Sequence, residues 1–274
     1  MSLLFNIAYN RARYKRKNGF QSRPDVLAKM INDSLQSYPF HIQAKSNIIE
    51  VLIGDLRPFD NRKAYSISTE KYQSDLVFPD PHSVSWPEIG VECVQDYILE
   101  LHEIGKQDPL YSKAIWIGAN THQSRKTFID LIDSNEEYKK YIDAWFYEWD
   151  GKTQFMSLQD QVRDYKYLID IEGVGFSGRL KYQLCSNRAV FVVDRPHWDW
   201  ATCDCEPWVH YIPVKRDCSD LLEKIKWAEA NPQQVENICE RSSQFMLSRL
   251  SLDNINKTIH DKIEAKMRIT FDAY

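Results

Sequence analysis

The sequence predicts an α/β protein: two halves in which strands alternate with helices, then a helical tail. Three observations predict it. Short apolar runs rich in β-branched residues end in glycine turns at Gly54, Gly118 and Gly173. Segments with helical spacing of apolar residues follow the two later turns, as βαβ units and a parallel sheet require. From residue 218 onward the patterning is helical only. A chain of 274 residues suits one large domain or two small ones. The expected division is 1–110, 111–250 and a closing helix over 251–274.

The elements follow in order. Residues 24–36 read as a helix and 47–53 as an apolar strand ending at Gly54-Asp55. Six prolines from Pro39 to Pro109 mark irregular structure, densest over residues 56–87. A helix is expected over 91–104. The second half begins near Ser112, with strands over 114–117, 144–147, 167–171 and 189–193. Helices over 124–132, 156–164 and 177–185 separate them. Three helices, 218–231, 232–250 and 251–273, close the chain, and Pro232 suits a first helical turn.

Composition narrows the function. A net charge of -4 argues against a general nucleic-acid binder. The local exception is Arg11, Arg13, Lys15, Arg16 and Lys17, which read either as a solvated face or as a contact with an anionic membrane surface. No run of about 18 apolar residues is present, so no transmembrane span is expected. Residues 1–8 lack the order of a secretory signal peptide, because basic residues follow the apolar ones. The six cysteines form no disulfide framework. Together these features predict a cytoplasmic protein, its basic segment open between a solvated face and a peripheral contact with the inner membrane face. His197, Cys203, Cys205 and His210 match no common zinc spacing. Trp86, Trp198 and Trp200 read as loop residues, open either to core packing or to stacking on sugar rings.

Three strand-to-loop turns are candidates for chemistry, since ligands in open α/β sheets bind beyond the carboxyl ends of the strands. In Gly173-Val174-Gly175-Phe176-Ser177-Gly178-Arg179 the glycines let backbone approach a ligand. Ser177 reads as an N-cap, and Arg179 offers forked donors suited to phosphate. The turn fits a phosphate cradle or an ordinary capped helix with a surface arginine. It is neither a Walker A loop nor the dinucleotide fingerprint. In the second turn, Gly118 to Arg125, Thr121 or Ser124 reads as the helix cap, and Arg125 lies within reach of an anion. Asp55, ending an apolar strand, reads either as a general base toward a hydroxyl or as an exposed turn residue.

Three segments carry a family resemblance: residues 165–181, the run Pro207-Trp208-Val209-His210-Tyr211-Ile212-Pro213-Val214, and Glu240-Arg241-Ser242-Ser243-Gln244-Phe245. In this order they resemble glycosyltransferase family 90, clearly over about residues 110–250 and thinly before. The family comprises protein O-glucosyltransferases, capsule-associated xylosyltransferases and lipopolysaccharide-modifying transferases. The resemblance implies a GT-B-like fold of two Rossmann-like domains with a cleft between them. It implies inverting transfer from a UDP-sugar, glucose or xylose, to a hydroxyl of a glycan or lipid-linked glycan, without a metal or other cofactor. In agreement, no Asp-x-Asp pair is present. It carries donor contacts onto Thr121, Arg125, Val174, Gly175, Phe176, Ser177, Gly178 and Arg179, and the catalytic base onto Asp55.

The chain departs from the pattern in two places. Many relatives flank the first glycine turn with arginines, as Phe-Arg-Gly-Ser-Arg-Thr, whereas Ile117 and Asn120 stand here. The secretory signal and disulfides of the eukaryotic glucosyltransferases are also missing. A bacterial-type enzyme of lipopolysaccharide or surface polysaccharide synthesis fits this pattern. The competing reading is a non-catalytic nucleotide- or glycan-binding scaffold derived from such an enzyme. A kinase is disfavoured by the lack of a Walker loop.

Overall fold

The computed structural model describes residues 2–8, 11–14, 22–40, 47–54, 64–71, 75–148 and 155–271. By contact density the chain forms two compact units. One comprises Met1–Tyr97, His197–Asp204 and Ser248–Tyr274; the other comprises Ile98–Pro196 and Cys205–Leu247.

The first unit is built on strands β1 (Ser2–Ala8), β2 (Arg11–Tyr14), β3 (Asn47–Leu52) and β4 (Tyr65–Ser66), in the order β2-β1-β3-β4. Strand β1 buries Leu3, Phe5 and Ile7 and exposes Leu4, the period-2 pattern of a half-covered sheet. Helix α1 (Arg23–Ser37) buries Leu27, Met30, Ile31, Ser34 and Leu35, one continuous helical stripe. Strand β5 (Ser68–Thr69) pairs with a short strand further along the chain. Helix α2 (Val94–Ile104) carries the chain into the second unit.

This sheet is not the parallel half that a Rossmann-like reading predicts. Strand β1 pairs antiparallel with both β2 and β3, and only β3 and β4 run parallel. Two residues separate β1 from β2, far fewer than the dozen or so a parallel crossover needs. Neither strand was expected from the sequence. Arg11 and Arg13 of the basic segment lie in β2, and Lys15, Arg16 and Lys17 lie outside the described residues.

In the second unit the strands predicted over 114–117, 144–147, 167–171 and 189–193 are present, with a short helix over 136–141 and a strand over 212–214 in addition. Its elements are β6 (Tyr111–Gly118), α3 (Gln123–Asp133), α4 (Glu136–Tyr141), β7 (Ile142–Phe146), α5 (Leu158–Asp164), β8 (Tyr165–Asp170), α6 (Leu180–Cys185) and β9 (Ala189–Val193). The chain then visits the first unit, where β10 (Trp198–Asp199) pairs with β5. It returns as β11 (Ile212–Val214), α7 (Leu221–Ala230) and α8 (Pro232–Arg249). All five strands of the sheet are parallel, ordered β11-β9-β8-β6-β7. Ala114, Trp116, Tyr167, Ile169, Ala189 and Phe191 pack on one face against Phe128, Ile132, Ile225 and Ile238 of α3, α7 and α8. Ile115, Ile117, Leu168, Val190 and Val192 are buried on the other face. Burial on both faces explains why these strands read as unbroken apolar runs.

The last helix, α9 (Leu252–Phe271), belongs to the first unit. It buries Ile255, Ile259, Ile263 and Met267 at four-residue spacing and packs on α1, where Ser34 Oγ donates to Asn256 O at 2.7 Å. No described helix is long and apolar enough to cross a membrane.

Candidate anion-binding site

Strand order fixes where a ligand would lie. In chain order the second sheet runs 2-1-3-4-5, and its connections change direction between the first and third strands, β6 and β8. In such sheets the ligand crevice opens beyond the carboxyl ends of those two strands. They end at Gly118 and Asp170, so the two predicted turns lie side by side. Gly173 marks the closeness: a Cβ there would stand 3.4 Å from Arg125 Nη2 and 3.5 Å from Thr121 Oγ1. A Cβ on Gly118 would come within 2.8 Å of the Trp116 ring, which leaves no room for a side chain.

Arg125 laces the turns together. Its Nε donates to Glu172 O at 2.8 Å and its Nη2 to Ile171 O at 3.2 Å. Its Nη1 donates to Ala119 O at 2.9 Å and Thr121 Oγ1 at 3.0 Å. The helix behind Arg125 is not capped by Thr121 or Ser124, as expected, but by His122, whose Nδ1 accepts from Ser124 N at 3.2 Å. Thr121 faces the arginine instead.

Arg179 sits at the N-cap position of α6, two residues later than predicted, because Ser177 is engaged elsewhere. Ser177 Oγ donates to Asp170 Oδ1 at 2.7 Å and so does not cap the helix. Arg179 Nη1 donates to Ile117 O, and its Nε lies 3.5 Å from Asp170 Oδ1. Its Nη2 is buried with no hydrogen-bond partner among the described residues. Both Arg125 and Arg179 lie beside the Trp116 ring, 5.6 and 5.8 Å from its centroid. Val174 is exposed, Gly175 is buried, Gly178 is half-buried, and Phe176 is a core side chain.

Sequence reasoning missed the centre of this arrangement. Asp170 is fully buried, and Arg195 is buried beside it with Nη1 at 2.5 Å from Oδ2. Arg195 Nη2 also donates to Asp170 O at 2.9 Å. The buried Glu172 pairs with Arg216 at 2.8 Å, and His122 Nδ1 lies 3.9 Å away. The cluster therefore sets three largely buried guanidiniums (Arg125, Arg179, Arg195) against two buried carboxylates (Asp170, Glu172), one positive charge in excess, with Arg216 exposed at its rim. The Arg125 guanidinium feels both its burial and its cationic neighbour. Burial first and the Arg179 charge second hold it well below the usual guanidinium range, at about 10. Burial likewise depresses Arg179, against the pull of Asp170. Uncompensated charge in such a place is costly and favours a bound anion.

Other candidates fall away. Trp198 and Trp200 are buried core residues, and Trp86 stacks on His82 at 4.0 Å, so none is an open sugar platform. Cys203 and Cys205 are buried thiols, His210 Nδ1 accepts from Glu206 N, and all six cysteines are free. No group of three potential metal ligands exists among the described residues. Strand β3 leads to Gly54, and Asp55 lies outside the described residues.

The second unit is thus a parallel α/β sheet with arginines gathered beyond the carboxyl ends of its switch-point strands. The chain belongs to glycosyl transferase family 90, whose sequence profile matches residues 61–263. Among curated relatives, protein O-glucosyltransferase 1 of Bos taurus is 40% identical over 157 residues, 53% of this chain and 38% of its own. Protein O-glucosyltransferase 3 of Homo sapiens is 32% identical over 126 residues, 43% of this chain and 25% of its own. The chain thus spans between a quarter and two fifths of the length of these relatives. Among solved structures, Anabaena HepE in complex with UDP aligns with 66% of this chain and 47% of its own, at 12% identity and a TM-score of 0.40.

Proposed function

We propose that the chain is a UDP-sugar-dependent glycosyltransferase whose donor diphosphate occupies the crevice between the Gly118 and Gly173 turns. The observation that carries this reading is the excess of largely buried arginine charge beside the two turns, where Arg179 Nη2 is buried with no hydrogen-bond partner among the described residues. A departing UDP develops negative charge on its diphosphate. Fixed guanidiniums stabilise it more strongly as the bond breaks, and no divalent cation is then required. Direct roles fall to Arg179 and the backbone near Ser177 and Gly178. Thr121 and Arg125 hold the first turn in register with the second. Asp55 is the base of this reading: it takes the acceptor proton as the hydroxyl attacks the anomeric carbon and UDP leaves from the opposite face, inverting the configuration.

The relatives' name, O-glucosyltransferase, favours glucose as the sugar, with xylose next. The acceptor of this reading is a glycan or lipid-linked glycan of lipopolysaccharide or surface polysaccharide. In this reading the protein is cytoplasmic, with the basic segment from Arg11 to Lys17 toward an anionic membrane face. The alternative, a non-catalytic scaffold, draws on Ile117 and Asn120, where many relatives carry arginine.

Release of UDP from UDP-glucose and UDP-xylose, with and without a chelator, separates these readings. Slow release unaffected by chelator is expected. No release from any UDP-sugar favours the scaffold, and loss on chelation ends the metal-independent mechanism. Asp55→Asn is expected to slow transfer at least about 100-fold while UDP affinity stays at the wild-type level. Wild-type transfer would place the base elsewhere.

A further inference from the structure

The Pro207 to Val214 motif plays no part in the anion site. It enters β11 at its amino end, the edge of the parallel sheet opposite the crevice. Trp208 there has a backbone φ of 65°, a left-handed conformation that a bulky residue rarely adopts. The turn is firmly held: Trp208 N donates to Tyr211 O at 2.7 Å, His210 N to Glu206 O at 2.9 Å and Glu206 N to His210 Nδ1 at 2.9 Å. The His210 ring packs 4.7 Å from Phe245. Core packing does not offset the strained backbone, because Trp208 remains 39% exposed. Outliers of this kind, fixed by their surroundings, gather at ligand sites.

In front of the indole lies an open groove of about 480 Å³, lined by Trp208, Trp227, Gln234, Asn237, Ile238 and Arg241. That volume lies within the range of small-ligand sites. Trp227 meets Trp208 edge-to-face at 4.8 Å, and Lys224 Nζ lies over one face of the ring, 4.8 Å from its centroid, so the ring is braced and a sugar would stack on the opposite face. The Asn237 carboxamide and Arg241 guanidinium are exposed on α8. An apolar ring face beside amide and guanidinium donors is the chemistry that recognises a pyranose, whose C–H face is apolar and whose rim carries hydroxyls.

We propose that this groove is a carbohydrate-binding subsite that takes a pyranose unit of an oligosaccharide. The subsite is separate from the donor crevice, shares no residue with it and does not depend on the transferase reading. Maltohexaose, xylohexaose and a hexamer of galacturonate, titrated at millimolar concentration into the full chain and followed by tryptophan fluorescence and NMR, test it. At least one is expected to bind with or without saturating UDP. Trp208→Ala, and separately Arg241→Ala and Asn237→Ala, are expected to weaken binding about tenfold or more with UDP affinity unchanged. The two α8 substitutions are at exposed positions and keep the test sound if Trp208→Ala misfolds. The proposal is overturned if none of the three binds, if UDP displaces the bound sugar, or if both α8 variants bind as tightly as wild type.

Discussion

Arg179→Ala is expected to weaken UDP binding about 10- to 150-fold, the loss of a charge-assisted contact worth ~1.5–3 kcal/mol. Transfer at saturating donor should fall by about a further 10²–10³, the usual cost of removing one fixed donor to a developing anion. The geometry explains why one residue carries both effects. Nη1 is held by Ile117 O and Nε faces Asp170, which fixes the plane of the guanidinium, while the buried Nη2 has no hydrogen-bond partner among the described residues. Arg125 is a poor substitute, because four of its five donors are already committed, to three backbone carbonyls and Thr121. Arg179→Lys keeps the charge and loses the fork, so it should fall between wild type and alanine. Titration calorimetry with UDP reads the first effect and UDP release the second. An alanine variant that binds UDP as wild type does would remove Arg179 from the diphosphate.

Strands buried on both faces were easy to read: β8 and β9 appear within about two residues of their predicted bounds because apolar runs leave little choice of period. Strands β1 and β2 were missed. The second is Arg-Ala-Arg-Tyr, whose polar side chains hide an edge strand, and the pair is recognised only through its antiparallel register. Both glycine turns were legible as sites because a strand running into a helix announces them. The roles within them were not. Ser177 looks like a cap in sequence, and only the fold brings it to Asp170, seven residues earlier. One clue was present: a lone aspartate in the run Leu-Ile-Asp-Ile must either be exposed or find a charged partner. That partner, Arg195, lies 25 residues further on at the end of the next strand, beyond any local pattern.

Asp170→Asn is expected to cost about 3–5 kcal/mol of stability, the penalty for leaving a buried charge without its partner. Asparagine preserves the shape and an acceptor for Ser177 but removes the countercharge for Arg195, which is 1% exposed, and for Arg179. Urea denaturation should show a lower midpoint with an unchanged slope, the sign of lost stability without loss of compactness. Two further measurements separate countercharge from mere packing. Removing the stranded cation as well, in Asp170→Asn/Arg195→Met, should recover part of the loss, because the coupling between touching charges disappears with both. UDP should also restore stability, by about 2.7 kcal/mol at 100 times its dissociation constant, since the diphosphate brings negative charge to the same cluster. Transfer should nevertheless stay slow in Asp170→Asn, because Arg179 has lost the group that orients it. A single variant as stable as wild type would show that the buried pair is dispensable, and the excess of arginine charge would then need no ligand to balance it.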